Sequence, residues 1–138
     1  MKSTAAEDKD NYSVERKNRE LAILAAIALH EQRCEEIIVL DLRSLVDYAD
    51  FFVIASAASL ARMRGAVRLT EKRLVKAGGK RLNQPDRDTG WILADFGDVL
   101  VHVFDAQARE FYRLEDLWGD APRVEWEDRL PKGAGDGR

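Results

Sequence analysis

The chain has 138 residues, 46% of them hydrophobic and 34% charged, with a formal net charge of −3. That length suits one domain with a single core, and the near-balanced charge excludes a wholesale polyanion binder or an acidic tail protein. The lone cysteine, Cys34, excludes an intramolecular disulfide and a multi-cysteine zinc site.

Residues 1–17 are polar, mixed in charge and without periodicity, and read as a mobile leader. From residue 18 to 33 a helix is expected, because Leu21, Leu24, Ala25, Ala28 and Leu29 recur at helical spacing. Its apolar run, Leu21 to Leu29, is nine residues long, whereas a membrane helix needs about 20. The N-terminus has no apolar signal-peptide core, so a cytoplasmic location is expected. Ile37-Ile38-Val39-Leu40 and Phe51-Phe52-Val53-Ile54-Ala55 read as buried strands, joined by a connection over 43–50. A second helix is expected from Ser59 to Ala77, with Ser56 or Ser59 as its cap and Gly78-Gly79 as its stop.

One stripe of this second helix is cationic. Arg64, Arg68, Lys72 and Lys76 repeat every four residues, and between Leu60 and Arg81 there are eight Lys or Arg against one acid, Glu71. Such a stripe suits RNA phosphate or an acidic partner, or is a solvated face. Lys80 to Leu82 reads as a short edge strand and residues 84–90 as a loop.

Trp91 to Phe104 reads as an antiparallel hairpin turning at Asp95-Phe96-Gly97-Asp98. Val99, Val101 and Val103 point one way, and Leu100, His102 and Phe104 the other. Neither face is polar, so both are expected to be covered, one by the chain's helices and the other by a partner. Asp105 caps a final helix over 106–118, with Phe111, Leu114, Leu117 and Trp118 on its inner side. Residues 120–138 read as a flexible tail, leaving 18–119 as the domain. The expected fold class is α/β (α+β), a mixed sheet of four to five strands packed with helices.

No catalytic motif is present: there is no G-x-S-x-G, phosphate loop or H-E-x-x-H. His30 and His102 are the only histidines, and His30 reads as structural. Asp41, Asp47, Asp50, Asp95 and Asp98 are candidate Mg²⁺ ligands, although Asp95 and Asp98 also suit turn-making. A nucleotidyltransferase places a Gly-Ser cradle beside its carboxylates, and Ser56-Ala57-Ala58-Ser59 has the position but lacks the glycine.

Leu40-Asp41, Asp50-Phe51-Phe52-Val53-Ile54, Ser59, the whole stretch Trp91 to Phe104, and Arg109 to Trp118 together resemble the ribosomal silencing factor family (RsfS, also called iojap or YbeB-like). The resemblance covers roughly residues 20–118. It implies a nucleotidyltransferase-like fold without catalytic residues, no cofactor and no enzymatic activity. It further implies binding to the large ribosomal subunit through the L-fourteen protein, where the factor blocks joining of the small subunit and represses translation when nutrients are short. Trp91, Asp95, His102 and Phe104 are then the expected partner surface, with Asp98 and Tyr112 at its margin. A core role for Trp91, His102 and Phe104 is the competing expectation. A bare partner face also favours a homodimer in the free protein. The alternatives are a divergent Mg²⁺-dependent nucleotidyltransferase using Asp41, Asp50 or Asp95, and an RNA-binding module using the basic helix.

Overall fold

The computed structural model describes residues 5–84 and 90–131, with side chains from Ser13 onward. The elements run α1 (Ala5–Glu31), β1 (Glu35–Asp41), β2 (Phe51–Ser56), α2 (Leu60–Lys76), β3 (Trp91–Asp95), β4 (Val99–Phe104), α3 (Ala106–Tyr112) and a single turn α4 (Leu114–Leu117). The strands form one sheet in the order β1-β2-β4-β3. β1 pairs antiparallel with β2 and β3 with β4, while β2 and β4 are parallel. A parallel pair requires a crossover, and α2 lies within it. The chain is therefore α+β, as its apolar pattern predicts.

Strand alternation divides the core into two layers. On one face Val39, Phe51, Val53, Val99, Val101 and Val103 pack under Leu21, Ile23 and Leu29 of α1 and Met63, Val67 and Leu74 of α2. On the other face Leu40, Phe52, Ile54 and Phe104 gather with Leu42, Ala49 and Ala121. The chain covers much of this second face itself, with the 42–49 loop, α3, α4 and the segment through Ala121. The 42–49 loop and the segment through Ala121 have no helical or strand periodicity, which is why the sequence leaves this face without an evident full cover.

Four local expectations differ from the structure. Residues 5–17 belong to α1 rather than forming a separate leader, and Glu15 lies 3.5 Å from Arg43. The fifth strand is absent at Lys80–Leu82. There one backbone bond, Leu82 N–H to the Asp95 carbonyl (2.7 Å), is joined by the Asn83 amide. That amide donates to the Leu93 carbonyl and accepts from the Asp95 N–H, so a side chain caps the β3 edge in place of a strand.

The final helix is broken at Arg113, which adopts a left-handed conformation (φ 45°) and ends α3. The break turns Phe111 and Leu117 outward, while Leu114 and Trp118 pack on the second-face core. Finally, residues 120–131, expected to be flexible, run along the outer edge of β1. Asp41 N–H donates to the Pro122 carbonyl and Val124 N–H to the Val39 carbonyl. Trp126 is buried and its Nε1 donates to the Ile37 carbonyl at 3.3 Å. Residues 132–138 of that tail lie outside the described residues. Among the described residues no helix is long and apolar enough to cross a membrane.

Candidate docking surface

β3 and β4 bring Trp91 opposite Phe104 and Asp95 opposite Leu100. The hairpin thus carries its aromatic residues at one end and its carboxylates at the other, about 13 Å away at strand rise. The residues expected to share one surface fall into two groups.

At the turn, Asp95 Oδ1 accepts from the Gly97 N–H (2.8 Å), and Gly97 takes φ 89°. Asp95 is therefore a turn-maker, and glycine supplies the left-handed backbone. Asp98 is exposed, and Asn18 of α1 donates from one amide to Asp50 (3.1 Å) and Asp98 (3.2 Å). Asn18 thereby ties the helix to the sheet end. Asp41 is gripped by Arg43 through bonds of 2.9 and 2.6 Å. That pairing holds its carboxyl below the usual range. Among the described residues no group of three or more His, Cys, Asp or Glu has metal-ligand geometry. Asp41, Asp50 and Asp98 instead accept bonds from Arg43 and Asn18, an arrangement that serves structure.

At the other end the rings form a connected set. Trp91 contacts Tyr112 (centroids 4.7 Å), Phe104 (5.0 Å) and His102 (5.9 Å). Tyr112 meets Phe111 edge-on at 4.9 Å. Below them His102 packs on Phe52 at 4.6 Å, and Phe52 meets Trp118 at 6.2 Å. The set runs from solvent into the core. Phe111 is 78% exposed, Leu117 71% and Tyr112 49%, whereas His102 is 4% and Phe104 0% exposed. Trp91 and Trp118 lie half-buried between these extremes.

The direct partner contact expected of His102 and Phe104 does not fit that burial. Both lie beneath the surface residues and support them. Trp91 Nε1–H donates to His102 Nδ1 at 3.2 Å, which places the imidazole proton on Nε2. Burial pushes the His102 pKa from 6.5 down to about 3. Between those two values the unfolded chain binds a proton that the folded chain refuses. The stability is therefore full above the unfolded pKa and falls as the pH drops below it. We expect His102 to cost about 2 kcal/mol between about pH 7.5 and pH 5. His102→Gln should lose that part of the slope. Melting midpoints of both proteins at both pH values check this, and equal losses would contradict it.

Arg109 fixes the segment that carries these residues. Buried in α3, it bonds Glu115 through Nε (3.0 Å), Ser56 Oγ through one terminal nitrogen (2.8 Å) and the Glu36 carbonyl through the other (2.8 Å). Glu36 has φ 50° in an irregular stretch of β1, so the guanidinium caps a carbonyl that the ladder there does not pair regularly. Sequence reasoning missed Arg109 because two of its partners lie 53 and 73 residues away. It likewise placed Phe111 and Leu117 inward, since the break at Arg113 has no Gly or Pro signal.

The outer residues of this segment are acidic. Glu110 and Asp116 flank Arg113, at 2.6 and 3.3 Å, and Glu115 holds Arg109. Exposed rings bordered by carboxylates suit a partner surface that is apolar at its centre and cationic around it. The cationic candidates Arg64, Arg68, Lys72 and Lys76 all lie exposed on α2, which packs on the other face of the sheet.

Comparison with known proteins places this geometry in a family. A family model described as "Ribosomal silencing factor during starvation" matches residues 15–137. A relative from Halalkalibacterium halodurans named ribosomal silencing factor RsfS is 38% identical over 113 residues, covering 80% of this chain and 95% of that protein. A more distant mouse relative, named mitochondrial assembly of ribosomal large subunit protein 1, is 30% identical over 100 residues, 65% of this chain and 41% of that protein. The crystal structure of a protein from Chromobacterium violaceum superposes with a TM-score of 0.69 at 26% identity, covering 83% of this chain and 94% of that one.

Proposed function

The chain belongs to the ribosomal silencing factor family, and from that premise we propose that it binds the large ribosomal subunit and sterically prevents the small subunit from joining. The partner is the subunit's L-fourteen protein, and the consequence is repression of translation when nutrients are limiting. The action is non-enzymatic and cytoplasmic: occupancy of a surface does the work, and no bond is made or broken.

The observation that carries this reading is the connected aromatic set from Phe111 through Tyr112 to Trp91. A protein rarely leaves a phenylalanine 78% exposed beside a half-exposed tyrosine without a use for them. Half-buried Trp and Tyr on a rigid support are the usual anchors of protein interfaces. Trp91, Tyr112, Phe111 and Leu117 make the contact, and His102 and Phe104 hold the floor beneath them. Asp95 and Asp98 shape the far turn. In the free protein the same face is open to a second copy, so a homodimer that competes with subunit docking belongs to the reading.

The experiment is co-sedimentation with purified subunits, large and small separately. The protein is expected to travel with the large subunit alone. Equal recovery with both, or with neither, would remove the proposal.

A further inference from the structure

The basic side of α2 is unused by the aromatic face. Met63, Ala66, Val67, Thr70 and Leu74 of this helix are buried inward. Outward, Arg68, Lys72 and Lys76 are all exposed. Four residues of helix rise about 6 Å, so the three cations form a row about 12 Å long.

Nearby carboxylates do not neutralise this row. Glu31 pairs with Arg73 at 2.7 Å and Glu71 with Arg81 at 3.3 Å. Among the described residues the side chains of Arg68, Lys72 and Lys76 make no ion pair or hydrogen bond. The helix start extends the same sign. Its first turn, which starts at Leu60, holds no acid and carries Arg62, although a helix N-terminus favours negative charge. Cations placed against that preference are an arrangement that folding alone does not call for.

Charge is also sorted across the sheet. α2 carries six Lys or Arg against one Glu. Residues 105–128, which cover part of the opposite face and the β1 edge, carry eight acids against three Arg. The two sides therefore suit partners of opposite charge.

We propose that the outer face of α2 is a second docking surface, which grips the phosphate backbone of RNA through Arg68, Lys72 and Lys76 while the aromatic face engages protein. No aromatic side chain stands within the row, so the contact reads backbone charge and not base identity. The ribosomal reading enters only in making RNA the polyanion at hand. With the two surfaces on opposite faces, loss of one leaves the other intact.

The test uses the full chain and an RNA duplex of about 16 base pairs and arbitrary sequence. Three phosphate contacts give a log–log salt slope of about −2 to −3, a loss of roughly 20- to 60-fold in affinity between about 50 and 200 mM salt. The variant Arg68→Gln/Lys72→Gln/Lys76→Gln replaces exposed side chains, so its melting midpoint should stay unchanged while RNA binding falls at least about tenfold. Trp91→Ala/Tyr112→Ala should keep RNA binding in full. Polyglutamate serves as the competing polyanion. An RNA affinity that the triple variant retains, no RNA binding at low salt, or equal affinity for polyglutamate would each overturn the proposal. Loss of subunit binding in the aromatic variant bears on the first surface alone, so the two readings fail separately.

Discussion

Replacing Arg109 by methionine should lower the melting midpoint by about 10 °C. Methionine keeps most of the volume but none of the donors. The Glu36 carbonyl and Ser56 Oγ then lose their guanidinium partners, and Glu115 loses the cation 3.0 Å away. Removing one partner from a buried charged network costs about 3–5 kcal/mol. A chain of this size loses about 3 °C per kcal/mol. Arg109→Lys should recover little, because an ammonium cannot reach three acceptors set out for a planar fork. Thermal melts of the three proteins check this, and a shift below about 2 °C would mean that the network contributes no net stability.

The second large effect concerns recognition. Tyr112→Ala alone should weaken large-subunit binding about tenfold, and Trp91→Ala/Tyr112→Ala at least about 100-fold, the range expected of two interface anchors. The single variant is the cleaner probe. Tyr112 is half exposed and its side chain packs against the Trp91, Phe104 and Phe111 rings, so the fold should survive its loss. Trp91 also donates to His102, and its removal costs stability as well as contact area. Titration of labelled protein with large subunits, beside melting curves of the same variants, separates the two contributions. Unchanged affinity of a folded double variant would move the docking surface elsewhere.

Much of this architecture is legible in the chain. Val99, Val101 and Val103 face α1 and α2 as their alternation requires, Ser59 and Asp105 cap their helices, and Gly97 turns the hairpin. These features depend on near neighbours and on period, which a sequence displays. What it does not display is tertiary in origin. Alternation points His102 and Phe104 away from the Val99, Val101 and Val103 face, and nothing in 42–49 or 119–121 reads as a cover, so the sequence alone points to a partner directly upon them. The cover is instead assembled from a loop, two short helices and Ala121. The left-handed turn at Arg113 moves Phe111 and Leu117 to the outside, and its support comes from Arg109, whose partners are distant in the chain. Trp126 reads from sequence as part of a polar tail because its place against Ile37 lies 89 residues away. The proposed docking surface therefore combines Trp91 and Tyr112 from the sequence reading with the exposed Phe111 and Leu117, and sets the buried His102 and Phe104 beneath them.

On the proposed function, occupancy of the large subunit by this aromatic face excludes the small subunit. Separated subunits are mixed under joining conditions with increasing amounts of the protein, and joined ribosomes are measured by sedimentation. The expected result is a progressive loss of joined ribosomes with the wild-type chain, saturating near one protein per large subunit, and no loss with folded Trp91→Ala/Tyr112→Ala at the same concentrations. Undiminished joining at saturating wild-type protein, or equal inhibition by the double variant, would contradict the account.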